Sequence, residues 1–566
     1  MKERYIALME KALSAYTDAH IVDYFERVKR EGLTEHGFPR LTADIGILIS
    51  HGYRRDLLPL FLEMMDFCCH QIPRVHAAND FSIREIVCCI REVERAGVVD
   101  ADRIEKWKAE LSACDPYSCY DVIAKSLTDT VRNWALFSGV SEYYRQAMCG
   151  GDSEKFIELQ FGQQLQWFDE NGMYCDNKHS DSHQHIMYDL APRFLYSLAI
   201  HLGYRGRYFD EIDAILKKSG LLTLAMQSVT GEMAFGGRSN QFYLNEGTLC
   251  SILEFEASRY AKDGNTELAG RFKAAAQRAL ENSERGLSAK PIYHIKNRFP
   301  TETKYGCENY AYFDKYMITV ASNYYGAYLM CDDSIPTATA PDHEPTAFMT
   351  SYHFHKLFLK SGGYAIEYDL NGDPHYDASG LGRVHREGAP SAICLSCPCP
   401  ARPVYTLDIE TPFAFSMCSA IRDKDGWRLG AEECEKHEAL STKTDKDSAS
   451  ATVICRFDDD RSVKEHYTVN ENGVSIKVEG DGEIGYSLPA FCFDGEISPK
   501  ITVSEHSLTV SYDGWTCKYT TSGTIIDLNK IAANRNGHYR TFIAKAENTL
   551  DVKVEIGEER KVKSEE

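Results

Sequence analysis

"CDDSIPTATAPDHEPT", residues 331–346, is where the hydrophobic period of this chain changes. Its prolines, threonines and aspartates suit neither a helix interior nor a paired strand, so it reads as a connection. Upstream, "LLPLFLEMMDFCC" (57–69), "FSIREIVCCIREVERAG" (81–97), "RIEKWKAELSAC" (103–114), "PRFLYSLAIHLG" (192–203) and "ELAGRFKAAAQRALENSERG" (267–286) repeat apolar residues at the helical period. Downstream, "GGYAIEYDL" (362–370), "RSVKEHYTVNENGVSIKVEG" (461–480) and "HSLTVSYDGWTCKYTTSGTIIDL" (506–528) alternate apolar and polar residues around ENG, YDG and TSG turns. The expected fold class is α+β and multidomain. Helical hairpins over 1–335 form an N-terminal (α/α) toroid, and 336–566 form a C-terminal antiparallel β-sandwich.

The 566 residues carry 63 Lys+Arg against 84 Asp+Glu, a formal charge of −21. Nucleic acid and anionic membrane, which both need a basic face, are not expected partners. A small anionic substrate stays compatible, because a few focused cations dominate one cleft. No run of eighteen apolar residues occurs, so no membrane span is expected. "MKERYIALMEKALSAY" (1–16) reads as an amphipathic helix and not as a signal peptide. Neighbouring cysteines inside helical patterns, Cys68-Cys69 and Cys88-Cys89, suit buried reduced thiols, which places the protein in the cytoplasm.

Four polar-aromatic segments interrupt the helical half. "DNKHSDSHQHIMYD" (176–189) holds His179, His183, His185 and Tyr188. A zinc site is one reading, but His183 and His185 are two residues apart and would diverge by roughly 200° on a helix. A helix cap by Asp181 or Ser182 is another. The third is proton transfer, with Tyr188 as base and acid and a histidine managing charge. The other segments are "RNWALFSGVSEYYR" (132–145) with Asn133 and Trp134, "GEMAFGGRSNQFYLNEG" (231–247) with Arg238, Asn240, Tyr243 and Glu246, and "TKYGCENYAYFDKY" (303–316) with Glu308, Tyr310 and Tyr312. Asn133 precedes His183 by fifty residues and Arg238 follows Tyr188 by fifty, a spacing that returns a chain of helical hairpins to the same rim. Trp134, Trp167, Tyr243, Tyr310 and Tyr312 are candidate platforms for sugar rings.

The order Asn-Trp, an "ENGMY" turn leading to His and Tyr, then an Arg/Asn loop resembles the α/α-toroid polysaccharide lyases, the chondroitin AC lyase and heparinase II/III-like group. The resemblance implies a toroid catalytic domain followed by a β-domain, and cleavage of a uronic-acid-containing glycan by β-elimination. It implies Tyr188 as base and acid, Asn133 with His183 or His185 as carboxylate neutralisers, and Arg238 and Asn240 as carboxylate or sugar binders. Trp134, Tyr243, Glu246 and Tyr310 would contact substrate. Such a reaction requires no cofactor.

In the β half, the Gly-rich segment "NGDPHYDASGLGRVHREGAP" (371–390) reads as a loop reaching towards the cleft. Arg383 and His385 are expected on substrate, and His375 with Asp377 is a candidate divalent-metal pair. "CLSCPCP" (394–400) contains one C-x-x-C without a second pair at zinc-ribbon spacing. The expected partner is an anionic oligosaccharide, and assembly with further copies of the chain is compatible with the sequence. Two rival readings are a toroid glycoside hydrolase, pairing Asp181 with Glu246 or Glu308, and a non-catalytic carbohydrate-binding protein.

Overall fold

The computed structural model describes residues 1–76, 79–176, 182–339, 343–457 and 461–559. Six helices form an inner ring: Gly37–Ser50, Asn79–Ala96, Trp134–Cys149, Ile186–His201, Tyr243–Lys262 and Phe313–Met330. Each packs on the next, and the last returns to the first, so the ring closes. A buried network fastens that closure. Arg40 Nε donates to Glu85 Oε2 at 2.9 Å, and Ser322 Oγ donates to the same oxygen at 3.0 Å. Lys2–Leu13, Leu58–Gln71, Ala101–Ser112, Glu154–Gln164, Phe209–Met226 and Thr266–Gly286 lie outside the ring, each against an inner helix.

The inner and outer helices differ in sequence as their positions require. "GFPRLTADIGILIS" is buried from Gly37 to Ile49, as a helix enclosed on all sides must be. "ADRIEKWKAELS" buries only Ile104, Trp107 and Leu111, one stripe against its neighbours. Close approach inside the ring is allowed by small residues: a Cβ at Gly46 would stand 2.4 Å from both Cys89 Sγ and the Phe61 ring.

The last helix of the toroid ends at Met330, and the first strand begins at Thr346. Two antiparallel sheets follow, one of four strands and one of eleven. Strands Thr346–Met349, Lys356–Ser361, Tyr364–Asp369 and Gly380–Arg386 make the smaller sheet, which lies between the toroid and the larger sheet. Phe354 and Phe358 belong to the core of the toroid, whereas Leu357, Leu359 and Ile366 belong to the core of the β half. Each such fully buried side chain contributes about 1.5–3 kcal/mol.

This middle sheet corrects the reading of 371–390 as a projecting loop. Its latter part is the strand Gly380–Arg386, nearly all buried. A strand covered on both faces shows no polar–apolar alternation. Its glycines mark close packing: a Cβ on Gly382 would lie 2.5 Å from the Phe235 ring and from Pro398. Among the described residues no helix is long and apolar enough to cross a membrane.

Candidate functional site

The inner helices present their N-terminal ends to one cavity of about 610 Å³. Its wall draws on the first turns of all six: His36 and Arg40, Phe81 and Arg84, Asn133 and Trp134, Met187 and Tyr188, Leu244 and Thr248, Lys315 and Tyr316. Each helix N-terminus carries a partial positive charge from its unpaired N–H groups, so six of them favour an anion here. The charged side chains act in the same sense. Arg40, Arg84, Arg132, Arg238 and Lys315 line it with Glu35, Asp121 and Asp176, and Glu85 answers both Arg40 and Arg84 from behind the wall.

Asp176 ties the site together. Its Oδ1 accepts from Asn133 Nδ2 at 2.5 Å, and its Oδ2 accepts from Arg238 Nη2 at 3.3 Å. Burial raises its pKa, against the opposing pull of Asn133 and Arg238. The Arg238 guanidinium sits 4.4 Å from the Tyr188 ring centre. Burial opposes its charge, but the Tyr188, Tyr310 and Asp176 oxygens more than offset this and raise its pKa. Arg238 Nε is buried without a hydrogen-bond partner among the described residues. Tyr310 lies within reach of the Tyr188 hydroxyl and 3.4 Å from Ser239 Oγ, which also meets the Tyr316 hydroxyl at 2.8 Å. Burial raises the Tyr310 and Tyr316 phenols well above their ordinary range.

The loop 236–241 that carries Arg238 is strained. Gly237, Ser239 and Gln241 adopt φ of +75°, +54° and +67°. Gly237 is required, because a Cβ there would lie 2.1 Å from His185 Nδ1. Left-handed non-glycine residues persist only where surroundings impose them, and here the β half does so. Glu308 accepts from the Ser239 amide at 2.8 Å and is itself clamped by Arg535 Nη2 at 2.6 Å. Asn536 Nδ2 donates to Gln241 Oε1 at 3.3 Å.

The histidines stand behind the wall. His185 caps the helix Ile186–His201 with its backbone; its buried ring contacts Tyr188 and Tyr376 at 6.0 and 5.3 Å between centroids. Burial, then the nearby arginines, lowers its pKa to about 3, so the imidazole is neutral. His183 packs against His355 at 5.7 Å. His179 and Asp181 lie outside the described residues, and the helix that Asp181 or Ser182 was expected to cap starts four residues beyond Ser182, at Ile186.

Of the residues expected in the cleft, Asn133, Trp134, Tyr188, Arg238 and Tyr310 line one cavity. The others do not. Asn240 closes its own loop, donating to Ala234 O at 3.2 Å. Tyr243 turns outward to Gly286 on the helix Thr266–Gly286. Glu246 accepts from Lys296 Nζ at 2.8 Å, and Lys296 also holds Glu232 at 2.9 Å. Arg383 is tied to Met233 O at 2.8 Å, Ser396 O at 3.0 Å and Glu367 at 3.2 Å, away from the cavity. His385 Nδ1 meets Ser228 Oγ at 2.7 Å, and burial holds its pKa well down. Both join the toroid to the middle sheet instead of facing substrate. His375 Nδ1 lies 3.0 Å from Asp373, whereas the buried Asp377 carboxylate accepts the Asp373 amide at 2.5 Å. Neither belongs to a cluster of three ligand atoms among the described residues.

Sequence reasoning assigned no role to Asp176, Tyr316, Arg132 or Lys315, which also line the cavity. Asp176 and Tyr316 are the first and last letters of two quoted polar-aromatic segments. That clustering was the available signal.

No protein-family model matches the chain, and no curated protein matches it. Solved structures do. A heparinase III matches with a TM-score of 0.52 at 9% identity, over 92% of this chain and 78% of that one. A second heparinase III gives 0.50 at 7% identity, over 92% and 77%. A chondroitin AC lyase mutant from Streptomyces coelicolor A3 gives 0.50 at 10% identity, over 97% and 82%. The fold is that of the α/α-toroid polysaccharide lyases, a helical toroid followed by an antiparallel β-domain.

Proposed function

We propose that a chain with this lyase fold uses the cavity at its inner-helix N-termini to cleave a uronic-acid-containing oligosaccharide by β-elimination. One observation carries the reading: Asp176 holds Asn133 and Arg238 together, and Arg238 rests on the Tyr188 ring, at the end of the toroid where the helix N-termini favour an anion.

The chemical difficulty is the C5 proton of the uronide, which is hard to remove while the adjacent carboxylate is ionised. The enolate that forms carries two negative charges, so fixed positive and N–H groups must already face the carboxylate. Asn133 and Arg238, with Arg132 beside them, supply these groups. Asp176 holds the first two in place. Tyr188, entering as tyrosinate, takes the C5 proton, the C4–O4 bond breaks as C4=C5 forms, and the phenol so made gives its proton to the departing O4, restoring the tyrosinate. Atoms balance without water or a redox cofactor. Neutral Tyr310 and Tyr316 line the same wall as hydroxyl donors, and Trp134, 36% exposed and edge-on to Phe81, offers a flat face to a sugar.

A hydrolase would need two carboxylates across the scissile bond. Glu246 and Glu308 are both committed to buried cations outside the cavity. The test is incubation with a panel of uronic-acid oligosaccharides, following the ultraviolet absorbance of the unsaturated uronide. A rise that is lost in Tyr188→Phe supports the reading. New reducing ends without that absorbance would instead mean hydrolysis, and binding without turnover a carbohydrate-binding module.

A further inference from the structure

Far from the cleft in sequence and outside its wall, three side chains converge at the edge of the larger sheet. Cys434 Sγ, a ring nitrogen of His437 and Cys455 Sγ lie within 4.8 Å of one another, the one such trio among the described residues. Cys434 and His437 belong to the edge strand Cys434–Thr444, and Cys455 to its neighbour Ala449–Phe457, directly opposite His437. Residues three apart on a regular strand face opposite sides. A one-residue register shift between Cys434 and Lys436 cancels this and brings Cys434 round to the other two.

The imidazole is oriented for the task. His437 Nε2 is 3.1 Å from the Gly430 carbonyl, which only accepts, so Nε2 bears the proton. In the neutral ring the Nδ1 lone pair then faces Cys455 Sγ, 3.4 Å away. Metal-bound histidines show this pattern, the outer N–H on a carbonyl fixing ring and tautomer. The N···S distance also suits a tetrahedral ion with bonds of about 2.0 Å to nitrogen and 2.3 Å to sulfur. The Tyr368 hydroxyl, 2.6 Å from Nδ1, lies 3.1 Å from Glu465 Oε2 and can direct its proton there instead. Buried Glu465, held by Ser419 Oγ at 2.6 Å and the Tyr467 hydroxyl at 2.7 Å, adds negative charge beside the trio.

Two sulfurs and an imidazole select a soft divalent ion over calcium or magnesium. We propose that Cys434, His437 and Cys455 bind zinc, with solvent completing the tetrahedron on the partly open side of Cys434. Binding releases the thiol protons and fastens an edge strand, the part of a sheet most exposed to mispairing.

The experiment uses the full chain, reduced and stripped by chelator, titrated with zinc chloride against a chromophoric chelator and separately with cobalt(II). One tight ion per chain is expected. The cobalt form should show thiolate charge-transfer absorption and the visible bands of tetrahedral cobalt. Cys434→Ser and His437→Gln should each weaken zinc binding more than about tenfold, with circular dichroism confirming the fold. Cys492→Ser, a partly buried thiol elsewhere in the sheet, should leave binding unchanged. Zinc should raise the melting temperature of the wild type but not of Cys434→Ser. The proposal is overturned if the folded reduced protein takes up no ion, or if Cys434→Ser binds as tightly as the wild type. A Cys434–Cys455 disulfide forming in air, without metal uptake by the reduced chain, overturns it as well.

Discussion

Arg238 belongs to the loop 236–241 and Arg535 braces that loop through Glu308, and each is held by a buried acid. Arg535 is 2% exposed at its side chain and spends its N–H groups on Glu308, at 2.6 and 3.0 Å, and on the Gly306 carbonyl at 2.5 Å. Its guanidinium also covers the Tyr405 ring at 4.0 Å. Arg238 is 24% exposed and makes a single longer contact to Asp176, at 3.3 Å. Its Nε has no partner among the described residues, and its face rests on Tyr188. A saturated arginine is scaffold, because its charge is already answered. An arginine with spare donors at a cavity wall is set to bind something that arrives later.

Tyr188→Phe should separate the two roles most sharply. The phenol is the proton carrier in the proposed reaction, so its loss should cost about 10²–10⁴-fold in turnover. Substrate affinity and melting temperature should stay near those of the wild type. Single-turnover rates beside binding isotherms measure this split, and retained turnover removes Tyr188 from the chemistry.

Arg535→Ala reverses the pattern. It leaves Glu308 charged and unpaired under the loop, a class of lesion that costs about 3–5 kcal/mol. Urea denaturation should report that loss directly. An Arg535→Ala protein of wild-type stability but without activity would break the distinction between scaffold and site. Asn133→Ala should follow in size, lowering kcat by about 10²–10³-fold, the usual effect of deleting one donor to a developing oxyanion. Equal loss in KM with kcat intact would make Asn133 a plain binding residue instead.

The same contrast explains which parts of the molecule were legible in sequence. The inner and outer helices announced themselves by period, and the strands of 461–480 and 506–528 by alternation around tight turns. Of the middle sheet, Tyr364–Asp369 was read as a strand within "GGYAIEYDL", but "KLFLKS" and "GLGRVHR" are buried on both faces and lack the alternation that marks a strand. Asn133, Tyr188, Arg238 and Tyr310 were visible because polar and aromatic residues cluster just before helices whose N-termini form the rim. Arg383 and His385 looked equally reactive. Glu367 faces Arg383 from the neighbouring strand, and Met233 and Ser228 reach Arg383 and His385 only by the packing of one half on the other, which no local pattern encodes. Asp176 was overlooked for the opposite reason. Among the titratable letters of 176–189, nothing local distinguishes the one that reaches both Asn133 and Arg238.

His185 offers the finest test of the boundary between wall and scaffold. Its ring is buried behind Tyr188, with a pKa lowered to about 3 from an ordinary 6.5. The sign follows from linkage: a group depressed in the folded state gives stability that is complete above its unfolded pKa and lost as pH falls towards the folded one. Wild-type stability should therefore decline between about pH 6.5 and about pH 3 partly through His185, as the unfolded chain takes up a proton that the folded chain refuses. His185→Gln keeps a polar side chain of similar reach and removes that titration, so its stability should fall less steeply over the same window. If the imidazole is instead charged in the cleft during turnover, the mutation would also erase a limb of the pH–rate profile near neutrality. An unchanged profile with a flattened acid limb of stability would place His185 with Arg535, as support for Tyr188 and not as a partner in proton transfer.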